Sequence, residues 1–166
     1  MASKNKSLSE YTKTNIQDAK NLKFAVVVSE WNTEITQALA DGVYETLIKH
    51  KVKESNIITQ FVPGSFELPL AASFFAETGE YDAIICIGCV IQGETRHFEF
   101  ICDAVAHGIM NVNLNFGVPV VFGVLTTNDQ QQARDRSGGK YGNKGVEAAI
   151  TAMKMAYLKK NISPIF

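Results

Sequence analysis

Residues 81–117 read YDAIICIGCVIQGETRHFEFICDAVAHGIMNVNLNFG. Ala83 to Ile91 is a continuous apolar run of strand length, and Phe98, Ile101, Cys102, Val105, Ile109 and Val112 then recur at helical spacing. A buried strand therefore feeds a helix through the polar turn Gln92-Gly93-Glu94-Thr95-Arg96-His97. A glycine, a hydroxyl, both signs of charge and an imidazole meet at the carboxyl end of a strand, where open α/β sheets bind their ligands.

The same alternation extends in both directions. Phe24 to Val28 is β-branched and apolar throughout, as a strand covered on both faces requires. After Ser29-Glu30-Trp31-Asn32, Asn32 serves as N-cap for a helix with Ile35, Ala38, Leu39, Val43, Thr46 and Leu47 on one side. Lys49, His50 and Lys51 close that helix, with His50 read as a solvated end residue. Ile57 to Val62 is a second strand, followed by Pro63-Gly64-Ser65 and a helix from about Phe66 to Thr78 that stops at Gly79. Ser65 is its expected cap, and Pro69 is tolerated because it falls in the first turn. Val118 to Leu125 is the fourth strand, placed at an edge by Pro119. Asn128 and Asp129 open a short polar helix through Arg136, a glycine- and lysine-rich bend follows, and Val146, Ala149, Ile150 and Met153 resume helical spacing.

Strands alternating with helices predict a three-layer α/β/α sandwich, flavodoxin-like, with a four-stranded parallel sheet and helices on both faces. The loops at 29–33, 63–67, 88–97 and 125–128 then open on one side, and three of them hold Trp31, Glu67 and His97. The chain divides into an N-terminal arm (1–22), one domain (23–160) and a short tail (161–166). Leu8, Tyr11 and Ile16 are the arm's candidate contacts to a neighbouring subunit.

A chain of 166 residues with 46% hydrophobic and 20% charged content is an ordinary single-domain globule. A net charge of -1 argues against general nucleic-acid binding, and no apolar run approaches membrane-spanning length. Three cysteines without an apolar leader point to a reducing cytoplasm. Cys86 and Cys89 spell C-x-x-C, but positions three apart on a strand face opposite ways, so both read as core residues rather than metal or redox ligands.

Thr95, as the likeliest cap by residue type, would join the free N–H groups of a first helical turn in an anion pocket, with Arg96 adding charge. The same surroundings disfavour an imidazolium at His97 and leave it a proton acceptor. Trp31 either stacks on a planar ligand or lids the core. Glu67 either stabilises a helix start or accepts from a ligand hydroxyl. Arg136, Lys140 and Lys144 either converge on phosphate or form a solvated basic turn; no P-loop or G-x-G-x-x-G pattern is present.

Four motifs in order, SEWN (29–32), VPGSFELP (62–69), GCVIQGETRHFEF (88–100) and RSGGKYGNKG (136–145), resemble the lumazine synthase family from about Lys23 to Lys160. The resemblance implies condensation of 5-amino-6-(D-ribitylamino)uracil with 3,4-dihydroxy-2-butanone 4-phosphate, without metal or cofactor. It implies that Trp31, beside Asn32, stacks on the pyrimidine and that Gly64, Ser65, Phe66 and Glu67 hold the ribityl chain and ring. It implies backbone contacts from Cys89, Val90 and Ile91, a phosphate pocket at Glu94 and Thr95, and acid/base chemistry at His97. Phe122 and Arg136 correspond to residues supplied by an adjacent subunit, with Lys144 near the same site. Mid-strand spacing alone makes Phe122 core. Trp31, Gln92 and Glu94 depart from the family's usual residues, and the Glu94 carboxylate repels a dianion unless it turns outward or pairs with Arg96. Pentamers, further assembly into 60-subunit shells and a partnership with riboflavin synthase are also implied. A non-catalytic flavin-binding or shell-forming protein is the alternative.

Overall fold

The computed structural model describes residues 19–162. The proposed contacts at Leu8, Tyr11 and Ile16 lie outside that range. In chain order the elements are β1 (Phe24–Ser29), α1 (Thr33–Lys49), β2 (Ile57–Val62), α2 (Leu68–Thr78), β3 (Ala83–Ile91), α3 (His97–Phe116), β4 (Val120–Thr127), α4 (Gln130–Arg134), β5 (Ser137–Gly139), β6 (Gly142–Asn143) and α5 (Lys144–Ile162). β1 to β4 form a parallel sheet in the order β2-β1-β3-β4, so β4 is an edge, as Pro119 indicates.

β1 is buried along its whole length because both faces of the sheet are covered. Side chains of alternate parity feed two cores. Phe24, Val26, Val28, Ile85, Ile87 and Cys89 pack with α1 and α5, whereas Ala25, Val27, Ile84 and Cys86 pack with α2 and α3. Cys86 and Cys89 thus sit in opposite cores, and burial pushes each thiol up to about 12. Ala19 and Leu22 are also buried in the first core, so the packed body begins before Lys23, and α5 runs on through Asn161 and Ile162.

α1 and α5 approach closely enough that a Cβ on Gly145 would run into the carbonyl of Leu39. Asn143 joins them at that point: its Nδ2 donates to the Ala38 carbonyl at 2.8 Å and its Oδ1 accepts from Gly145 N–H at 2.8 Å. Left-handed Gly79 and Gly117 end α2 and α3.

Several local expectations change. His50 is not a simple solvated end: its Nε2 is buried without a hydrogen-bond partner, and burial lowers its pKa from the usual 6.5. Asn32 holds the N-cap position of α1 in the left-handed region, φ 61° and ψ 46°, without capping through its side chain. Ser65 opens a 3₁₀ turn, Ser65–Glu67, ahead of α2, and its buried hydroxyl caps nothing. The cap position of α3 is Arg96 rather than Thr95. The glycine-rich bend is a small antiparallel hairpin of β5 and β6.

Candidate active site

A cleft of about 530 Å³ opens where β1, β2 and β3 end. Trp31 and Asn32 line it from the β1–α1 loop, Pro63 to Glu67 from the β2–α2 connection, and Cys89 to Ile91 from the end of β3. Gly93, Thr95, His97, Phe98 and Ile101 close its remaining side. Three of the four strand-end loops therefore converge; the 125–128 loop does not line this cleft, because β4 lies beyond β3 at the far edge.

Backbone hydrogen bonds between strand ends set this geometry. Glu30 N–H donates to the Val62 carbonyl at 2.8 Å, and Trp31 N–H donates to the Pro63 carbonyl at 3.2 Å. At 72% exposure the Trp31 ring covers no core, which removes the lid reading and leaves a flat aromatic face at the cleft mouth. Ser65 is nearly buried, with an unpartnered Oγ lodged against Gly88, where an added Cβ would come within 2.7 Å of it. At Gly64 a Cβ would meet the Glu67 carboxylate at 3.1 Å, so glycine there leaves that side chain room at the wall. Thr95 does satisfy a first-turn donor, although not as the cap: its Oγ1 accepts from His97 N–H at 3.4 Å.

Of the two ways for the Glu94 carboxylate to avoid a dianion, turning outward or pairing with Arg96, the structure shows the first. Arg96 pairs with Glu99 at 3.2 Å, one turn along its own helix, rather than with Glu94. Glu94 is exposed and does not line the cleft. His107 pairs with Asp103 at 3.1 Å on the solvent side of α3.

Arg136, Phe122 and Lys144 occupy a different place. They line a second depression, about 590 Å³, along the outer edge of β4 and the start of α5. Phe122 is 42% exposed, not core, because no strand lies beyond β4 to cover it. Arg136 is held by four contacts: Nη1 donates to the Gln132 carbonyl at 3.0 Å, its N–H donates to the Ala133 carbonyl at 3.1 Å, its own carbonyl accepts from Lys144 N–H at 2.9 Å, and its guanidinium lies 4.9 Å over the Tyr141 ring. Lys144 Nζ meets Glu147 at 2.6 Å, which answers the positive charge of this depression from within it.

Sequence reasoning assigned no role to Tyr141, or to Phe98 and Ile101 as cleft lining. Phe98 and Ile101 had been read only as part of the helical stripe, and they sit where that stripe passes from core to cleft. Tyr141 lies inside a quoted motif, but its stacking depends on the hairpin folding back over Arg136. Among the described residues no group of three or more His, Cys, Asp or Glu could hold a metal ion, and no helix is long and apolar enough to cross a membrane.

Fold and cleft define a flavodoxin-like α/β protein with its crevice at the carboxyl ends of parallel strands. Residues 21–160 match the family described as 6,7-dimethyl-8-ribityllumazine synthase. Proteins of that name from Cytophaga hutchinsonii and Flavobacterium johnsoniae are 56% and 53% identical to the chain, over 93% and 98% of its length and 97% and 86% of theirs. The one from Parabacteroides distasonis is 50% identical, over 93% of this chain and 97% of its own. The chain belongs to the 6,7-dimethyl-8-ribityllumazine synthase family, and its reaction is the family's lumazine-forming step in riboflavin biosynthesis.

Proposed function

We propose that the β1–β2–β3 cleft is where this reaction takes place, and that it is completed by a second copy of the chain. The observation that carries the reading is the convergence of Trp31, Ser65, Glu67, the Cys89–Ile91 backbone, Thr95 and His97 on one cleft from three separate segments. Trp31 stacks on the pyrimidine of 5-amino-6-(D-ribitylamino)uracil, and the backbone of Cys89, Val90 and Ile91 reads its edge. Gly64, Ser65, Phe66 and Glu67 take the ribityl chain, with the orphaned Ser65 hydroxyl and the Glu67 carboxylate as hydrogen-bonding groups.

The butanone phosphate lies toward the α3 N-terminus, where the Thr95 hydroxyl and first-turn N–H groups favour an anion. Glu94 contributes there only through its backbone. The 5-amino group attacks the ketone and water leaves to give an imine; loss of the C3 proton then expels phosphate from C4, the enol so formed tautomerises to a methyl ketone, and the ribitylamino nitrogen closes on that carbonyl with loss of a second water. These steps move protons at nitrogen and oxygen and, in the elimination and the tautomerisation, at carbons 3 and 4 of the butanone moiety, and His97 at the mouth relays them. Much of the acceleration comes from holding two reactants that already condense in water.

Arg136 and Phe122 serve the cleft of an adjacent copy, with Arg136 on the phosphate. Supporting this, the two sets share no lining residue on one chain, and both Phe122 and the edge of β4 are open. Exposed Leu70, Phe74, Phe100, Met110 and Leu114 on α2 and α3 supply apolar surface for self-association. Pentamers, their assembly into a shell, a cytoplasmic location and contact with riboflavin synthase belong to the same reading. The direct test is to mix the purified protein with both substrates and follow lumazine formation against the uncatalysed background. Acceleration is expected; a folded oligomer that binds the pyrimidine without accelerating the reaction would leave only a binding module.

A further inference from the structure

Asn32 lines the cleft from a left-handed backbone conformation that a non-glycine residue seldom adopts. β3 extends to Ile91, but its pairing with β1 stops at Val28 opposite Ile87, so the β1 side of Cys89 lies beyond the end of that ladder. Continuing the parallel register would give the Cys89 carbonyl the N–H of Trp31. That N–H has turned away to the Pro63 carbonyl at 3.2 Å. Asn32 Nδ2 takes its place, donating to the Cys89 carbonyl at 2.9 Å across 57 residues of sequence.

The backbone is shaped for this. Asn32 is one of two non-glycine residues with positive φ among the described residues, at φ 61°. That left-handed turn lets its own carbonyl accept from Ile35 N–H at 2.9 Å and Thr36 N–H at 3.1 Å while its side chain points back across the sheet. Trp31 is thereby fixed from both sides, by its N–H on the β2 connection and by its neighbour's amide on β3.

We infer that Asn32 is a positioning residue: its amide replaces the missing ladder bond and holds the Trp31 ring over the Cys89–Ile91 backbone that reads the pyrimidine. This rests on the assignment of Trp31 and that backbone to the pyrimidine site. Two variants isolate the amide. Asn32→Gly adopts the left-handed turn freely but has no donor. Asn32→Asp keeps the shape but sets a carboxylate oxygen against the Cys89 carbonyl, so it is the worse of the two.

The measurements are the KM of each substrate and the fluorescence anisotropy of Trp31, the only tryptophan in the chain. Both variants are expected to raise the KM for the pyrimidine by about tenfold, in the range of one lost hydrogen bond, with that for the butanone phosphate within about twofold. Trp31 anisotropy falls in the assembled protein. Unchanged anisotropy and pyrimidine KM in both variants would overturn the inference. Trp31→Ala separates the two levels. If it raises the pyrimidine KM while the Asn32 variants do not, only the positioning role fails; if it has no effect, the site assignment fails and takes the inference with it.

Discussion

The chemistry proposed for His97 and Arg136 rests on the two residues unequally. His97 stands at the first turn of α3 against the cleft, and its proposed work is proton transfer in a reaction that proceeds without help. His97→Ala should therefore lower kcat by about 10²- to 10⁴-fold, the range of general acid–base catalysis, and leave a rate above background. A correctly assembled variant with no residual activity would mean the imidazole does more than relay protons. Arg136 is oriented by the Gln132 carbonyl and the Tyr141 face, so its guanidinium is presented rather than mobile. Removing one charge-assisted contact to phosphate costs about 1.5–3 kcal/mol. Arg136→Ala should raise the KM of the phosphate substrate about 10- to 100-fold and leave that of the pyrimidine nearly unchanged. Equal losses on both substrates would take Arg136 away from the phosphate.

At the scale of elements, the close contact of α1 with α5 holds the hairpin and Arg136 in place. Gly145→Ala drives a methyl group into the Leu39 carbonyl and against Asn143, and overpacking of this kind costs at least about 1–3 kcal/mol. A clear fall in Tm is expected, with weaker phosphate-substrate binding as the α5 start shifts; an unchanged Tm would mean the helices part at no cost. His50, at the other end of α1, makes stability depend on pH. Burial, and secondarily the Lys49 charge, hold its folded pKa below 6.5. Its contribution is therefore present above pH 6.5 and lost as pH falls through the lower folded value, because the unfolded chain binds the proton first. Tm should drop between pH 7.5 and pH 5 by more in the wild type than in His50→Gln; parallel curves would remove His50 as a source. These elements also show how far the sequence could be read. Apolar runs bounded by polar, glycine or proline residues located β1 to β4, and Pro119 marked the sheet edge, since both are local signals. Asn32 takes the cap position that its residue type indicates but turns its amide to β3, whereas the helix starts expected at Ser65 and Thr95 fall at Glu67 and Arg96, because each of these side chains answers to a neighbouring segment. Phe122 was unreadable for the same reason, as only strand order reveals that nothing covers it.

At the scale of the whole molecule, the residues of the proposed site line two separate depressions of one chain. The cleft holds Trp31 and His97, whereas Phe122 and Arg136 stand on the outer edge of β4. The measurement that tests this most directly is co-assembly of His97→Ala and Arg136→Ala subunits, unfolded together in equal amounts and refolded as mixed oligomers. A site is whole only where an Arg136→Ala subunit supplies the cleft and a His97→Ala subunit supplies the arginine. Random mixing therefore restores about a quarter of the wild-type rate in a closed ring of like subunits. Recovery well above the mean of the two parent variants is the predicted result. Activity no greater than that mean, in mixed oligomers of the same size as wild type, would contradict a site shared between subunits.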